Sequence, residues 1–216
     1  MIELKKRIIT SIFLMSLFFL MFFYSFILLL SLIIITLITW IEFNGLISKI
    51  FRKNNISDKI KKMILKVFSL LYLSTFIFFI MINLELKIYI FFIILISICS
   101  DIGGLIFGKT FKGKKLTKIS PNKTFSGAIG SLLFSLALIP FFNAHLVYFN
   151  LNYLIIFTIA ISVVSQFGDL FISFLKRKAK VKNTSDLLPG HGGFLDRVDG
   201  IIFAAPIGFI LLKLII

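Results

Sequence analysis

The feature that most constrains this chain is a series of long apolar runs separated by short basic loops. The runs cover about 8–47, 64–83, 88–107, 125–142, 153–175 and 197–216. A helix crossing the hydrocarbon core of a bilayer needs roughly 20 apolar residues. The first run is long enough for two such helices, with a tight turn near Phe23–Ser25 as the expected break. In lipid every backbone N–H and C=O must be satisfied within the spanning structure, which leaves helices or closed barrels. Barrel strands would alternate polar and apolar residues, and these runs do not. The expectation is an all-α, polytopic integral membrane protein of about seven transmembrane helices. At 59% hydrophobic in 216 residues, it has no room for a separate soluble domain. Residues 1–216 read as one membrane domain, with N-terminal spans in 1–99 and the polar motifs in 100–216. Lys5-Lys6-Arg7 ahead of an apolar stretch resembles a signal peptide. That stretch has no small-residue cleavage site, so it reads as an uncleaved first span.

The formal charge of +15 would suggest nucleic acid in a soluble protein. Here the charge lies in loops, so topology explains it and no nucleic-acid partner is expected. With the N-terminus inside, segments 1–7, 48–66, 109–123 and 176–182 carry 3, 7, 6 and 5 Lys/Arg, 21 of the 24. That alternation follows the positive-inside rule and puts the polar, Gly-rich segments on the cytoplasmic side. Trp40 and Glu42 read as interfacial residues. The lone Cys99 supports neither a disulfide nor a cysteine metal cluster, and His145, in an outside turn, carries no role.

Chemistry concentrates in Asp169–Asp199. Asp101, Asp169, Asp196 and Asp199 lie in or at the edge of spans. A carboxylate at the bilayer centre costs about 2.5–3.5 kcal/mol on insertion scales, so four of them imply a shared watery cavity or a cation. Asp169 and Ser173 are i,i+4 and share a helix face, and Lys176 and Arg177 follow a turn later. Asp196 and Asp199 are i,i+3 on the first turn of the last span. Hard oxygen ligands of this kind suit Mg²⁺, which keeps positions open for substrate phosphates. Neighbouring Lys and Arg suit the phosphates. Gly192 and Gly193 let the backbone approach a ligand closely, and the last helix offers free N–H groups to an anion. His191 is expected to touch a phosphate or order the loop. In the second basic loop, Lys118, Ser120, Lys123 and Thr124 make a compact set of donors, with Pro121 fixing a turn and Thr124 or Ser126 capping the fifth span. Topogenic charge plus a helix cap is the bland reading of the same loop. No Walker A, GxSxG, HExxH or CxxC pattern occurs.

The stretch Ser173-x-Leu175-Lys176-Arg177-x4-Lys182-Asn183-x-Ser185-x2-Leu188-Pro189-x-His191-Gly192-Gly193-Phe194-x-Asp196-Arg197-Val198-Asp199 closely resembles the signature of phosphatidate cytidylyltransferases, also called CDP-diacylglycerol synthases. Ser100-Asp101 with its following glycines and Gly108-Lys109, and Ser120-Pro121-Asn122-Lys123-Thr124 with Gly127, resemble two further blocks of that family. The resemblance covers about 100–200, and the N-terminal half matches only in hydrophobicity. Asn183 stands where the family usually has Asp, and Ser126 where many members have Glu. The chain is also shorter than many bacterial members, as if one or two N-terminal spans were missing.

The resemblance implies the reaction CTP + phosphatidate → CDP-diacylglycerol + pyrophosphate in phospholipid biosynthesis. It implies Mg²⁺ held by Asp169 and Asp196 with Ser173 close by, a second monovalent cation such as K⁺, and a homodimer. The expected catalytic set is Asp169, Asp196, Lys176, Arg177 and Asp199. The expected substrate-binding set is Lys118, Ser120, Lys123, Thr124, Asp101, His191, Gly192, Gly193 and Arg197. A bacterial cytoplasmic membrane is the expected location, with the site facing the cytoplasm. Competing readings are a cytidylyltransferase for an isoprenoid-glycerol phosphate, a CTP-using polyprenol kinase and a cation transporter. The full HGG–DR–D pattern favours phosphatidate. A transporter would place its acids near the midplane, with polar openings on both faces. The DG-x2-AR-x8-G-x3-D-x3-D array of CDP-alcohol phosphotransferases is absent.

Overall fold

A computed structural model describes residues 2–52, 55–117, 120 and 123–215. The helices are α1 (Ile2–Phe23), α2 (Ser25–Ile50), α3 (Ile56–Ile82), α4 (Lys87–Phe111), α5 (Phe125–Leu136), α6 (Ile139–Phe142), α7 (Leu151–Lys178) and α8 (Leu195–Ile215). Among the described residues there is no strand, only two isolated β-bridges, Lys115 with Thr124 and Leu188 with Gly192.

Among the described residues, seven helical segments are long and apolar enough to cross a membrane, with α5 and α6 together forming one of them. The chain is a multi-pass membrane protein. Phe13, Met15, Phe26, Phe78, Phe141 and Leu214 are exposed, as expected where the surrounding solvent is lipid. The 8–47 run divides where its length requires. Tyr24 is extended (φ −111°, ψ 109°) between α1 and α2. At 1.5 Å per residue α7 is about 42 Å long, longer than a hydrocarbon core of roughly 30 Å. Its last turn, Lys176, Arg177 and Lys178, therefore has length to reach water, and cations there complement the helix C-terminus.

The chain divides into two compact units. One combines Met1–Leu84 with Leu175–Val198, the other Glu85–Phe174 with Asp199–Ile216. In the first unit α2 packs on α1 and α3. Leu28, Leu46, Ile47, Leu73 and Ile80 are buried there, and Trp40 donates its indole N–H to the carbonyl of Lys66 at 3.3 Å. In the second unit α4 packs on α5 through Gly103, Gly104, Gly127 and Gly130. A Cβ on Gly127 would lie 2.8 Å from the carbonyl oxygen of Gly104, the close backbone approach that small residues permit between membrane helices. Phe92, Phe142, Phe149 and Phe157 form an aromatic cluster, with centroids 5.0 Å apart for Phe92–Phe142 and for Phe149–Phe157. Helices α7 and α8 also close on each other here, since a Cβ on Gly168 would meet the Asp199 carbonyl at 2.7 Å.

Candidate active site

In the second unit, the loop between α4 and α5 folds back on itself. Leu116 N–H donates to Lys123 C=O at 2.7 Å and Phe125 N–H to Lys114 C=O at 3.0 Å. Thr124, of the two candidate caps, closes α5, accepting from Gly127 N–H at 3.1 Å. This fixes the backbone at Lys123, whose ammonium pairs with Asp169 Oδ2 on α7. Ser173 donates to the other oxygen, Oδ1, at 3.3 Å, so the i,i+4 face expected of α7 exists. Two sequence blocks, the 120–124 loop and the 169–173 helix face, thus meet at one carboxylate. Its side chain is 24% exposed and that of Lys123 25%. Ser120 is half-buried in the same loop; Lys118 and Pro121 lie outside the described residues. Asp101 is exposed on α4. Asp199 is buried rather than solvated, at 6% exposure, and accepts from Gly200 N–H at 2.9 Å.

In the first unit, α7 ends in a Schellman motif: Val181 N–H donates to Lys176 C=O and Lys180 N–H to Arg177 C=O, with Lys180 left-handed at φ 56°. A Leu-Pro-Gly-His turn follows. His191 N–H donates to Leu188 C=O at 2.9 Å, and Gly190 takes φ 78°, the type II geometry that favours Pro then Gly. The loop then closes on Asp196. Its Oδ2 accepts from Thr184 N–H at 2.9 Å, Thr184 Oγ1 at 3.0 Å and Gly193 N–H at 3.1 Å. Its Oδ1 pairs with Lys176 Nζ at 2.6 Å. The basic exit of α7 and the HGG block are joined by that pair.

His191 faces α1, where Thr10 Oγ1 lies 2.9 Å from Nδ1 and Ser11 Oγ 3.5 Å from Nε2, the arrangement of a loop-ordering residue. Arg197 donates from Nε and Nη2 to the His191 carbonyl at 3.2 and 2.6 Å. Arg177 is exposed. Gly192 has φ 85°. The space over Gly193 belongs to the protein itself, because a Cβ there would meet Thr184 Oγ1 and Glu42 Oε2.

Glu42 is the residue that sequence reasoning missed. Read from the sequence only as an interfacial acid, it is buried in the protein, at 6% exposure. It accepts from Thr184 Oγ1 at 2.8 Å, Ser185 Oγ at 2.5 Å, Phe194 N–H at 3.0 Å and Leu195 N–H at 2.8 Å. The one available signal was an acid within an apolar run, which in a spanning helix marks a functional site by default.

The chain matches the sequence profile described as "Cytidylyltransferase family" over residues 3–215. It belongs to that family. The match takes in the N-terminal half, including α2 and Glu42. A protein of Rickettsia typhi named phosphatidate cytidylyltransferase is 43% identical over 133 residues, 58% of this chain and 58% of its own. One of Rickettsia prowazekii with the same name is 44% identical over 133 residues, with the same coverage. One of Staphylococcus haemolyticus, again so named, is 44% identical over 127 residues, 57% of this chain and 48% of its own. The chain thus spans about half the length of the curated relatives it matches.

Among the described residues no group of three or more His, Cys, Asp or Glu is placed to hold a metal ion. The donors do fit a hard cation that binds through one carboxylate and a hydroxyl and takes its remaining oxygens elsewhere. Asp169 already has a positive charge against one oxygen and the Ser173 hydroxyl against the other. Asp196 is different: a carboxylate offers about four lone-pair sites, and three of its four contacts crowd onto Oδ2, with the Lys176 ammonium on Oδ1.

Proposed function

We propose that this chain transfers the cytidylyl group of CTP to phosphatidate, giving CDP-diacylglycerol and pyrophosphate. The observation that carries the reading is the Lys123–Asp169–Ser173 cluster, which unites two family blocks around a carboxylate and an ammonium. A phosphate oxygen of phosphatidate attacks the α-phosphorus of CTP, the bond from that phosphorus to the bridging oxygen breaks, and pyrophosphate leaves. The attacking oxygen is already anionic near neutral pH, so no general base is needed. The residues then act by positioning and by neutralising charge.

Lys123, and the exposed Arg177, supply positive charge for phosphates. Asp169 and Ser173 would hold Mg²⁺, which when bound stabilises charge on phosphate oxygens. Asp196 as a further metal ligand belongs to the same proposal. Asp101, Lys118, Ser120, Thr124, His191 and Arg197 complete the proposed substrate contacts or their supports. The charge distribution of the loops supports a site facing the cytoplasm of a bacterial inner membrane, where CTP and the lipid headgroup are both within reach. A homodimer and a second cation such as K⁺ belong to the same proposal.

Purified protein given CTP, Mg²⁺ and phosphatidate is expected to release pyrophosphate. Absence of CTP-dependent turnover with any phospholipid acid would overturn the proposal. Competition between phosphatidate and an isoprenoid-glycerol phosphate identifies the lipid.

A further inference from the structure

The loop from Thr184 to Leu195 is held by a side chain about 150 positions earlier in the sequence. Glu42 lies about 12 Å inside the end of α2, at 1.5 Å per residue. Its carboxylate is 6% exposed and, among the described residues, pairs with no Lys or Arg. Its four donors are two hydroxyls and two backbone N–H groups. The N–H groups belong to Phe194 and Leu195, at the very start of α8. Those N–H groups have no partner within a helix, and a negative charge is favoured there. Glu42 therefore caps α8 from another helix and fixes where its first turn begins.

Asp196 sits in that first turn. Thr184 Oγ1 lies 2.8 Å from Glu42 Oε2 and 3.0 Å from Asp196 Oδ2, so a single hydroxyl proton is shared between two carboxylates. A Cβ on Gly193 would lie 2.6 and 2.9 Å from the two Glu42 oxygens, so the second glycine of the HGG block makes room for Glu42. We infer that Glu42 is a positioning residue. Through Thr184 and the α8 N-terminus it sets the place of the Asp196 carboxylate, and hence of the Lys176 ammonium paired with it. This inference rests on the cytidylyl-transfer reading for its consequence in catalysis, but not for the geometry it asserts.

The test uses the full chain in nanodiscs with two readouts. The first is amide hydrogen exchange. Glu42→Gln turns an amide N–H toward the donors, and exchange at Phe194 and Leu195 should speed by roughly tenfold or more while α4 and α5 stay unchanged. The second is pyrophosphate release. In Glu42→Gln, kcat should fall roughly 10–100-fold, the range seen when supports of a reacting group are removed. KM for CTP should change less than about threefold, because the loss falls on charge stabilised in the transition state. Thr184→Val should lower kcat about tenfold and Thr184→Ser should restore it. The double variant Glu42→Gln/Thr184→Val should be no worse than Glu42→Gln alone.

Unchanged exchange at 194–195 would overturn the inference, as would turnover within twofold of the parent or effects that simply multiply. If Glu42→Gln does not fold, the Thr184→Val and Thr184→Ser pair decides by both readouts. If the parent shows no CTP-dependent turnover, the cytidylyl-transfer reading falls, and exchange alone decides the place of Glu42.

Discussion

Asp169 and Asp196 are the same residue type, each paired with one lysine, yet they occupy opposite environments. Asp169 receives Lys123 and one serine hydroxyl, and a quarter of it faces outward. Asp196 receives Lys176, two backbone N–H groups and a hydroxyl, and its side chain is 9% exposed. The first carboxylate has one contact on each oxygen; the second has three contacts on Oδ2 and the Lys176 ammonium on Oδ1. Residue type is thus shared while the surroundings differ. On the proposed function, Asp169 is the acid that meets a ligand, while Asp196 ties together Lys176, Thr184 and Gly193.

The comparison breaks most readily at Asp169. Asp169→Asn should lower pyrophosphate release on the order of 10²–10³-fold, the loss typical of a preorganised electrostatic group. Its melting temperature should stay close to the parent's, because a partly exposed ion pair contributes about 0–1 kcal/mol. A large fall in melting temperature would make the two acids equivalent. Asp196→Asn should instead lower stability by about 3–5 kcal/mol, the cost of breaking a largely buried pair, along with activity; thermal unfolding in detergent reads the first and turnover the second. Loss of activity with unchanged stability would give Asp196 the role assigned to Asp169.

Gly193→Ala sharpens the same contrast. Its methyl group enters space held by Glu42 and Thr184, and overpacking of this kind costs about 1–3 kcal/mol. Protease resistance of the 183–195 loop should fall with it. The smallest effect is expected at Lys180, left-handed at the end of α7. Lys180→Gly removes the Cβ strain of that conformation and should raise stability by about 0.5 kcal/mol, measured by thermal unfolding, with turnover unaltered.

Much of this molecule is written in local pattern. The length of each apolar run determined the helices, the bare length of 8–47 required a break that Tyr24 supplies, and the i,i+4 spacing of Asp169 and Ser173 put them on one face. The Pro189-Gly190 pair specified its turn. These are short-range properties, because helix period, turn dihedrals and the thickness of a bilayer act on neighbouring residues. Family membership was legible too, since the 173–199 signature is contiguous.

What tertiary structure decided lies in the long-range pairings. Nothing near Lys123 in the chain indicates that Asp169, rather than another acid, receives it. Nothing near Asp196 indicates that its oxygens are met by Thr184, Gly193 and Lys176. Glu42 looked like an acid at a membrane interface, and only the fold brings it against residues 184–195. A buried carboxylate must find donors, but which donors it finds depends on the path of the backbone. The sequence of Asp169–Asp199 therefore determined which polar groups are present, and the fold decided that Asp169 meets Lys123 and Ser173 while Asp196 meets Lys176, Thr184 and Gly193.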